Sequence, residues 1–166
     1  MLPAYLPNPV AVLFGGGTPI DLGRNFSDGR RIFGEGKTIR GLVSGILAGI
    51  SIGFVQIWLS DTYALISFPR HTFMSITLLA IGALLGDLCK SFFKRRFKKE
   101  RGEKWPVADQ YDLVAGAFLL MLVFDPSWLI ANVTFPVFII ILIITPLLHR
   151  GINILGYLLK VKEVPW

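Results

Sequence analysis

A single cysteine, Cys89, is all the chain carries, which excludes an intrachain disulfide and any cysteine-rich metal centre. Charge is scarce as well: 17% of the 166 residues are Asp, Glu, Lys or Arg, against about a quarter in a typical soluble domain. Acids are scarcer than bases, 11 against 17. In a soluble protein that surplus would suggest nucleic acid. Beside so much apolar sequence it points to membrane orientation and a phosphorylated substrate, and no nucleic-acid partner is expected. No basic n-region precedes the apolar N-terminal stretch, which is studded with Pro3, Pro7 and Pro9, so a cleavable signal is not expected. No internal repeat stands out.

Apolar sequence is plentiful: 53% of residues are hydrophobic and the mean hydropathy is +0.61. Several runs approach the roughly 20 residues needed to cross a bilayer. The expected fold class is therefore all-α, a polytopic integral membrane protein with five transmembrane helices and a single membrane-embedded domain over residues 1–166. Leu2 to Phe14 is too short to span comfortably and reads as a truncated, tilted or proline-broken first span, ended by Gly15-Gly16-Gly17-Thr18-Pro19. Ile39 to Leu59 is the second, where the small residues Gly41, Ser44, Gly45, Ala48 and Gly49 suit a close helix contact. The third runs from His71 to Lys90. The fourth starts at Pro106, which suits a helix start, and ends at Phe124. Asp125-Pro126 opens a short loop. The fifth covers Val133 to Leu148, with Pro146 as an expected kink, and its helical pattern can continue through Leu159.

Charge orients these spans. The loop before the second carries five basic residues, the loop after the third carries eight, and the tail carries three, which together are 16 of the 17. The alternate loops hold only Arg70. The positive-inside rule then puts both basic loops and the C-terminus in the cytoplasm and the N-terminus outside. The expected location is the cell membrane, multi-pass, with an active site facing the cytoplasm.

The central loop joins two apolar segments and is bracketed by acids. Asp87 closes the third span; Asp109 and Asp112 open the fourth. Between them lie Lys90, Lys94, Arg95, Arg96, Lys98, Lys99, Arg101 and Lys104. Ser91 and Lys94 follow Asp87 at helical spacing and share its face if the helix continues. Asp109 and Asp112, three apart, project together. Carboxylates held near lipid depth are costly unless paired. A divalent cation would offset that cost, and Mg2+ is typically held by one or two carboxylates plus substrate phosphates. Neutralisation by Arg95, Arg96 or other nearby cations, or by the helix dipole at Asp109 and Asp112, is the alternative. Glu100 and Glu103, mid-loop, read as solvated.

The order Gly86-Asp87, then Ser91-Phe92-Phe93-Lys94-Arg95, then Asp109-Gln110-Tyr111-Asp112 resembles the signature of the CDP-diacylglycerol synthase family. Gln110 stands where that pattern has Arg, and Trp105-Pro106-Val107-Ala108 replaces an H-G-G segment. These departures, the small size and five spans look like the archaeal branch, CDP-archaeol synthase. The first loop is similar too, with Gly15 to Asp21, Asp28-Gly29-Arg30-Arg31, and Gly36-Lys37-Thr38-Ile39-Arg40-Gly41.

The resemblance implies a membrane cytidylyltransferase that uses CTP, Mg2+ and a prenylated glycerol phosphate lipid, 2,3-di-O-geranylgeranylglyceryl phosphate. It implies catalytic roles for Asp87, Lys94, Asp109 and Asp112, with Asp87, Asp109 and Asp112 as metal ligands. It implies substrate contacts from Gly16, Gly17, Thr18, Asp21, Asn25, Phe26, Asp28, Arg30, Lys37, Thr38, Ser91, Arg95 and Gln110. The first loop suits such a role: consecutive glycines let N–H groups converge on an anion, and Lys37 and Thr38 stand where a helix N-terminus favours phosphate. Gly15 to Gly17 can equally be a plain helix end. Asn25, Phe26 and Asp28 all offer stacking or hydrogen bonds to a base, and the residues alone leave open which reads cytosine. Two other readings are a small transporter, which would place polar groups near the bilayer midplane, and a non-enzymatic scaffold, which would tolerate loss of any single Asp.

Overall fold

The computed structural model describes residues 1–63, 70–99 and 103–161. Glu100, Arg101 and Lys162, which figured in the loop and charge readings, lie outside these described residues. The described residues form seven helices, in order α1 (Leu2–Tyr5), α2 (Pro7–Leu13), α3 (Ile39–Thr62), α4 (Phe73–Arg96), α5 (Pro106–Phe124), α6 (Pro126–Asn132) and α7 (Phe135–Leu158). Among the described residues no strand forms beyond two isolated bridges, Pro19 with Thr38 and Asn25 with Arg31. Among the described residues four helices, α3, α4, α5 and α7, are long and apolar enough to cross a membrane.

Local chemistry sets the helix ends. Thr38 caps α3 by accepting the Gly41 N–H at 3.1 Å. Thr72 and Ser75 form a reciprocal capping box on α4, with bonds of 3.0 and 2.9 Å. Pro106 takes the first position of α5, where a missing N–H costs nothing. Asp125 caps α6 by accepting from the Trp128 N–H at 3.2 Å, so part of the stretch read as loop is a helix of two turns.

The Leu2–Phe14 stretch differs from a full span. It forms two short helices that lie antiparallel along α3. The buried residues of α3 are glycines at every fourth position, Gly41, Gly45, Gly49 and Gly53. A Cβ on Gly49, Gly45 or Gly41 would lie 2.7 Å from the carbonyl oxygens of Pro3, Pro7 and Ala11 respectively. That pairing matches eight residues of α3, about 12 Å of rise, so α1 and α2 accompany α3 over only part of its length. The other side of the stripe receives α4, with Ile76 against Gly53 and Ala80 against Gly49. Backbone this close gains dispersion contacts that lipid cannot replace.

The tightest pairing is α4 with α5. A Cβ on Gly82 would lie 2.6 Å from the Ala117 Cα, and one on Gly86 would meet the Asp112 carbonyl. Leu79, Ala83, Leu113, Val114, Ala117 and Met121 form the core there, joined by Ala4 and Ile141. Helix α4 runs past Lys90 to Arg96, so Lys94, Arg95 and Arg96 sit in its last turn rather than in a loop. Helix α7 packs more loosely, and its helix continues through Pro146. Pro146 has no N–H to donate, which frees the carbonyl of Leu142 four residues earlier. The Tyr111 hydroxyl donates to that carbonyl at 2.9 Å. A neighbouring helix thus satisfies the group that proline orphans, as lipid surroundings demand.

Candidate active site

The Gly86–Asp112 approach decides the site. Asp87 follows Gly86, so drawing α4 onto α5 sets its carboxylate near Asp109 and Asp112 at the same end of the helix pair. Lys90, one turn after Asp87 on the same face, enters the space between all three. Its Nζ lies 3.1 Å from Asp87 Oδ1, 2.6 Å from Asp112 Oδ2 and 3.5 Å from Asp109 Oδ1. Lys94, a further turn on, pairs with Asp109 at 2.8 Å. Lys37 arrives from the first loop and pairs with the other oxygen of Asp87. Three carboxylates and three ammonium groups therefore form one interleaved cluster, with the Asp112 side chain only 4% exposed and Lys90 14%. The neutralising cations are lysines, not Arg95 or Arg96.

Secondary bonds hold the acids. Asp109 Oδ2 accepts the Trp105 N–H at 2.7 Å, tying the start of α5 to its own carboxylate. Asp112 Oδ1 accepts the Leu113 N–H at 2.6 Å. Its Oδ2 is buried and has no partner in hydrogen-bond geometry, although the Lys90 ammonium is close. Among the described residues no three Asp, Glu, His or Cys side chains are arranged as a ready-made metal cage. What stands in its place is a cation, Lys90, that touches three carboxylates at once. The donors are all oxygen, the kind Mg2+ prefers, and Asp112 Oδ2 is a buried acceptor without a directed bond. On those grounds the residues suit the ion.

The cluster floors a cavity of about 450 Å³. Its polar wall includes Tyr5, Asn8, Thr145, His149 and Asn153; Val12, Leu13, Leu148, Ile152, Leu155 and Leu159 make it apolar toward α2 and α7. Tyr5 of α1 and Thr145 of α7 are joined by a 2.8 Å hydroxyl bond. A charged floor under apolar walls can hold a phosphate next to a hydrocarbon chain.

The first loop is built to deliver Lys37. Its ends are pinned by the Ile20 N–H to the Lys37 carbonyl at 2.8 Å and the Ile39 N–H to the Thr18 carbonyl at 3.0 Å. Asp21 organises its middle, accepting from Arg31 at 2.6 Å and from the N–H groups of Phe33, Gly34 and Gly23 at 3.0, 2.9 and 3.2 Å. Burial alone would raise the Asp21 pKa; Arg31 and those N–H groups outweigh it and hold the carboxyl well below the usual range. Arg96 then docks the loop on the end of α4. It pairs with Asp28 at 2.8 Å, donates to the Arg31 carbonyl at 2.7 Å and lies over the rings of Phe26 and Phe92.

Of the sequence-derived site residues, the structure gathers Asp87, Lys94, Asp109, Asp112 and Lys37 around the cavity. Asp21, Phe26, Asp28 and Arg30 build or dock the first loop, Arg30 through its carbonyl. Asn25 bridges Arg31, and Thr38 caps α3. Gly16 and Gly17 make the left-handed turn after α2, with φ of 96° and 77°. There Arg40, donating to the Phe14 and Gly15 carbonyls, caps the helix end. Thr18 contributes its carbonyl to Ile39. Ser91 donates to the Asp87 carbonyl at 2.8 Å, and Arg95 donates to the Lys99 carbonyl at 2.6 Å. Gln110 is half-buried on α5, and neither it, Ser91 nor Arg95 lines the cavity. The residue that sequence reasoning counted only as loop charge is Lys90. Its spacing of three from Asp87 was the available signal.

A family profile described as CarS-like CDP-archaeol synthase matches residues 1–166. A CDP-archaeol synthase of Methanoregula boonei is 68% identical over the full length of both chains, and that of Methanoculleus marisnigri is 60% identical, again over the full length of both. A solved structure of an intramembrane enzyme for archaeal membrane lipid biosynthesis superposes with a TM-score of 0.65 at 30% identity, covering 98% of this chain and 90% of its own.

Proposed function

Since the chain belongs to the CDP-archaeol synthase family, enzymes of archaeal lipid biosynthesis, we propose that it transfers CMP from CTP to 2,3-di-O-geranylgeranylglyceryl phosphate. The observation that carries this reading is the cluster of three carboxylates and three lysines flooring a cavity whose walls turn apolar toward α2 and α7. A phosphate oxygen of the lipid attacks the α-phosphorus of CTP in line; the bond to the β-phosphate oxygen breaks and pyrophosphate leaves. A phosphate monoester is largely dianionic at pH 7, its second pKa being about 6. The nucleophile therefore needs no strong general base. Lys37 and Lys94 orient phosphate oxygens by charge-assisted bonds. Prenyl chains lie along the apolar wall, in continuity with the bilayer.

Asp87, Asp109 and Asp112 would hold Mg2+. When bound, the ion supplies neutralisation of the phosphate charge. The protein's own share is to keep those carboxylates close, which the α4–α5 contact and the lysines do. By the positive-inside rule both basic loops face the cytoplasm, where CTP is available. Cysteine placed at Lys99 should be labelled only from inside and at Ser127 only from outside. The deciding assay is incubation of purified protein with labelled CTP, Mg2+ and the prenylated lipid phosphate. A CDP-lipid that disappears on Mg2+ removal is expected; no nucleotide-linked lipid with any lipid phosphate would overturn the reading.

A further inference from the structure

Lys90 stands out within this site for its contacts. Lys37 touches only Asp87 among the three acids and Lys94 only Asp109, whereas Lys90 reaches Asp87, Asp109 and Asp112 within 3.5 Å. Its ammonium stands at the point that the three carboxylates share. Among the described residues no three carboxylates form a ready-made metal cage, and Lys90 stands among them instead. We propose that Lys90 is a built-in surrogate for the divalent cation, holding the three carboxylates together without metal and moving its ammonium into the cavity when metal and phosphate enter. This rests on the reading of Asp87, Asp109 and Asp112 as metal ligands.

Charge balance gives the reason. Three acids against three lysines make the cluster neutral. A divalent ion added with all three lysines in place leaves two positive charges in a largely buried spot, which is costly without a counter-ion. The phosphates of the substrate are that counter-ion. Metal alone should therefore bind weakly and metal with nucleotide tightly. Lys90 lines the cavity, so its four-carbon stem can swing there without unfolding α4. Its ammonium then meets a phosphate oxygen in place of a carboxylate, and the charge released from the acids is reused on the substrate.

The test uses the full chain in detergent, purified in Mg2+ and then chelated, with Mn2+ as the probe. Lys90→Met removes one positive charge and keeps the stem. By electron paramagnetic resonance without nucleotide, it should bind Mn2+ about ten-fold or more tightly than the parent, since one tenfold step is a small fraction of a close charge interaction. In chelator, Lys90→Met should melt below the parent, and Mn2+ should restore it, while the parent's melting barely responds to Mn2+ alone. Lys90→Arg keeps the charge and should stay with the parent in both measurements. Equal or weaker Mn2+ binding by Lys90→Met, or a melting loss that metal does not restore, would overturn the surrogate role while leaving the metal site standing. Absence of Mn2+ binding in parent and variants, with CTP as well as without, would overturn the metal reading itself and this inference with it.

Discussion

Replacing Gly86 by alanine tests whether the α4–α5 contact sets the spacing of the acids. A Cβ there would meet the Asp112 carbonyl, whose carbon would lie 2.9 Å away, with the Gly116 Cα at 3.2 Å. Ordinary contact begins near 3.4 Å, and the carbonyl oxygen is nearer still, so the helices must part locally by about 1 Å. Overpacking of this kind costs about 1–3 kcal/mol. Alanine recovers about 1 kcal/mol of helix propensity over glycine, which leaves a net loss of roughly 0–2 kcal/mol and a folded protein. Activity has no such offset. Asp87 is the next residue and Asp112 carries the displaced carbonyl, so the misplacement falls on the acids themselves. A shift of about 1 Å can cost around 10²-fold in rate. The assay is CDP-lipid formation by purified Gly86→Ala beside a melting curve. Gly151→Ala is the control, because a Cβ there meets nothing within 4 Å. A Gly86→Ala protein with the parent rate would refute the idea that this close approach positions the site.

Four further outcomes are expected. Asp87→Asn, Asp109→Asn and Asp112→Asn should each lower the rate by about 10²-fold or more, while Glu103→Gln, whose side chain is 45% exposed beside Lys99, should stay within a few-fold; equal losses would mean that net charge alone matters. Lys37→Ala should raise the KM for CTP or lower kcat although it lies 50 residues from Asp87 in sequence; intact kinetics would make the first loop only a connector. Asp21→Asn should expose residues 14–38 to limited proteolysis. Because the folded Asp21 pKa is depressed, its contribution is present at neutral pH and is lost as pH falls toward that value. Burial and the nearby N-terminal ammonium lower His71 from 6.5 to about 4. Its neutral form therefore favours folding above 6.5, and that contribution is lost as pH falls through about 4. His71 stacks on Trp128 at 5.1 Å, so tryptophan fluorescence should follow the change, and His71→Phe should abolish it.

Much of the architecture was legible in the residues because it depends on local rules. Apolar runs of bilayer length predict α3, α4, α5 and α7, and Pro106 marks the start of α5 to the residue. The glycine spacing of α3 signalled a close helix contact. Its partner, the proline-broken α1–α2 segment, could not be read, since a run of about a dozen apolar residues is compatible with a tilted span or a partial one. Pro146 marks a gap in the α7 hydrogen-bond ladder in the sequence, but that Tyr111 on another helix satisfies the freed carbonyl could not be read there.

The candidate site divides in the same way. Sequence by itself determined the chemistry: acids bracketing a basic stretch at one end of apolar helices, a basic glycine-rich first loop, and a membrane setting. These follow from residue type and spacing within one segment. Only the tertiary structure decided which of those groups meet. Lys37 and Asp87 join across 50 residues of chain because Asp21 and Arg96 fold and dock the first loop. The three acids gather because Gly82, Gly86 and Gly116 let two backbones nearly touch. Thr38, Ser91 and Asp28 carry suitable chemistry yet spend it on a helix cap, a backbone carbonyl and an arginine. Whether a polar side chain is free to meet a substrate depends on competing partners in three dimensions, and a linear spacing carries no record of them.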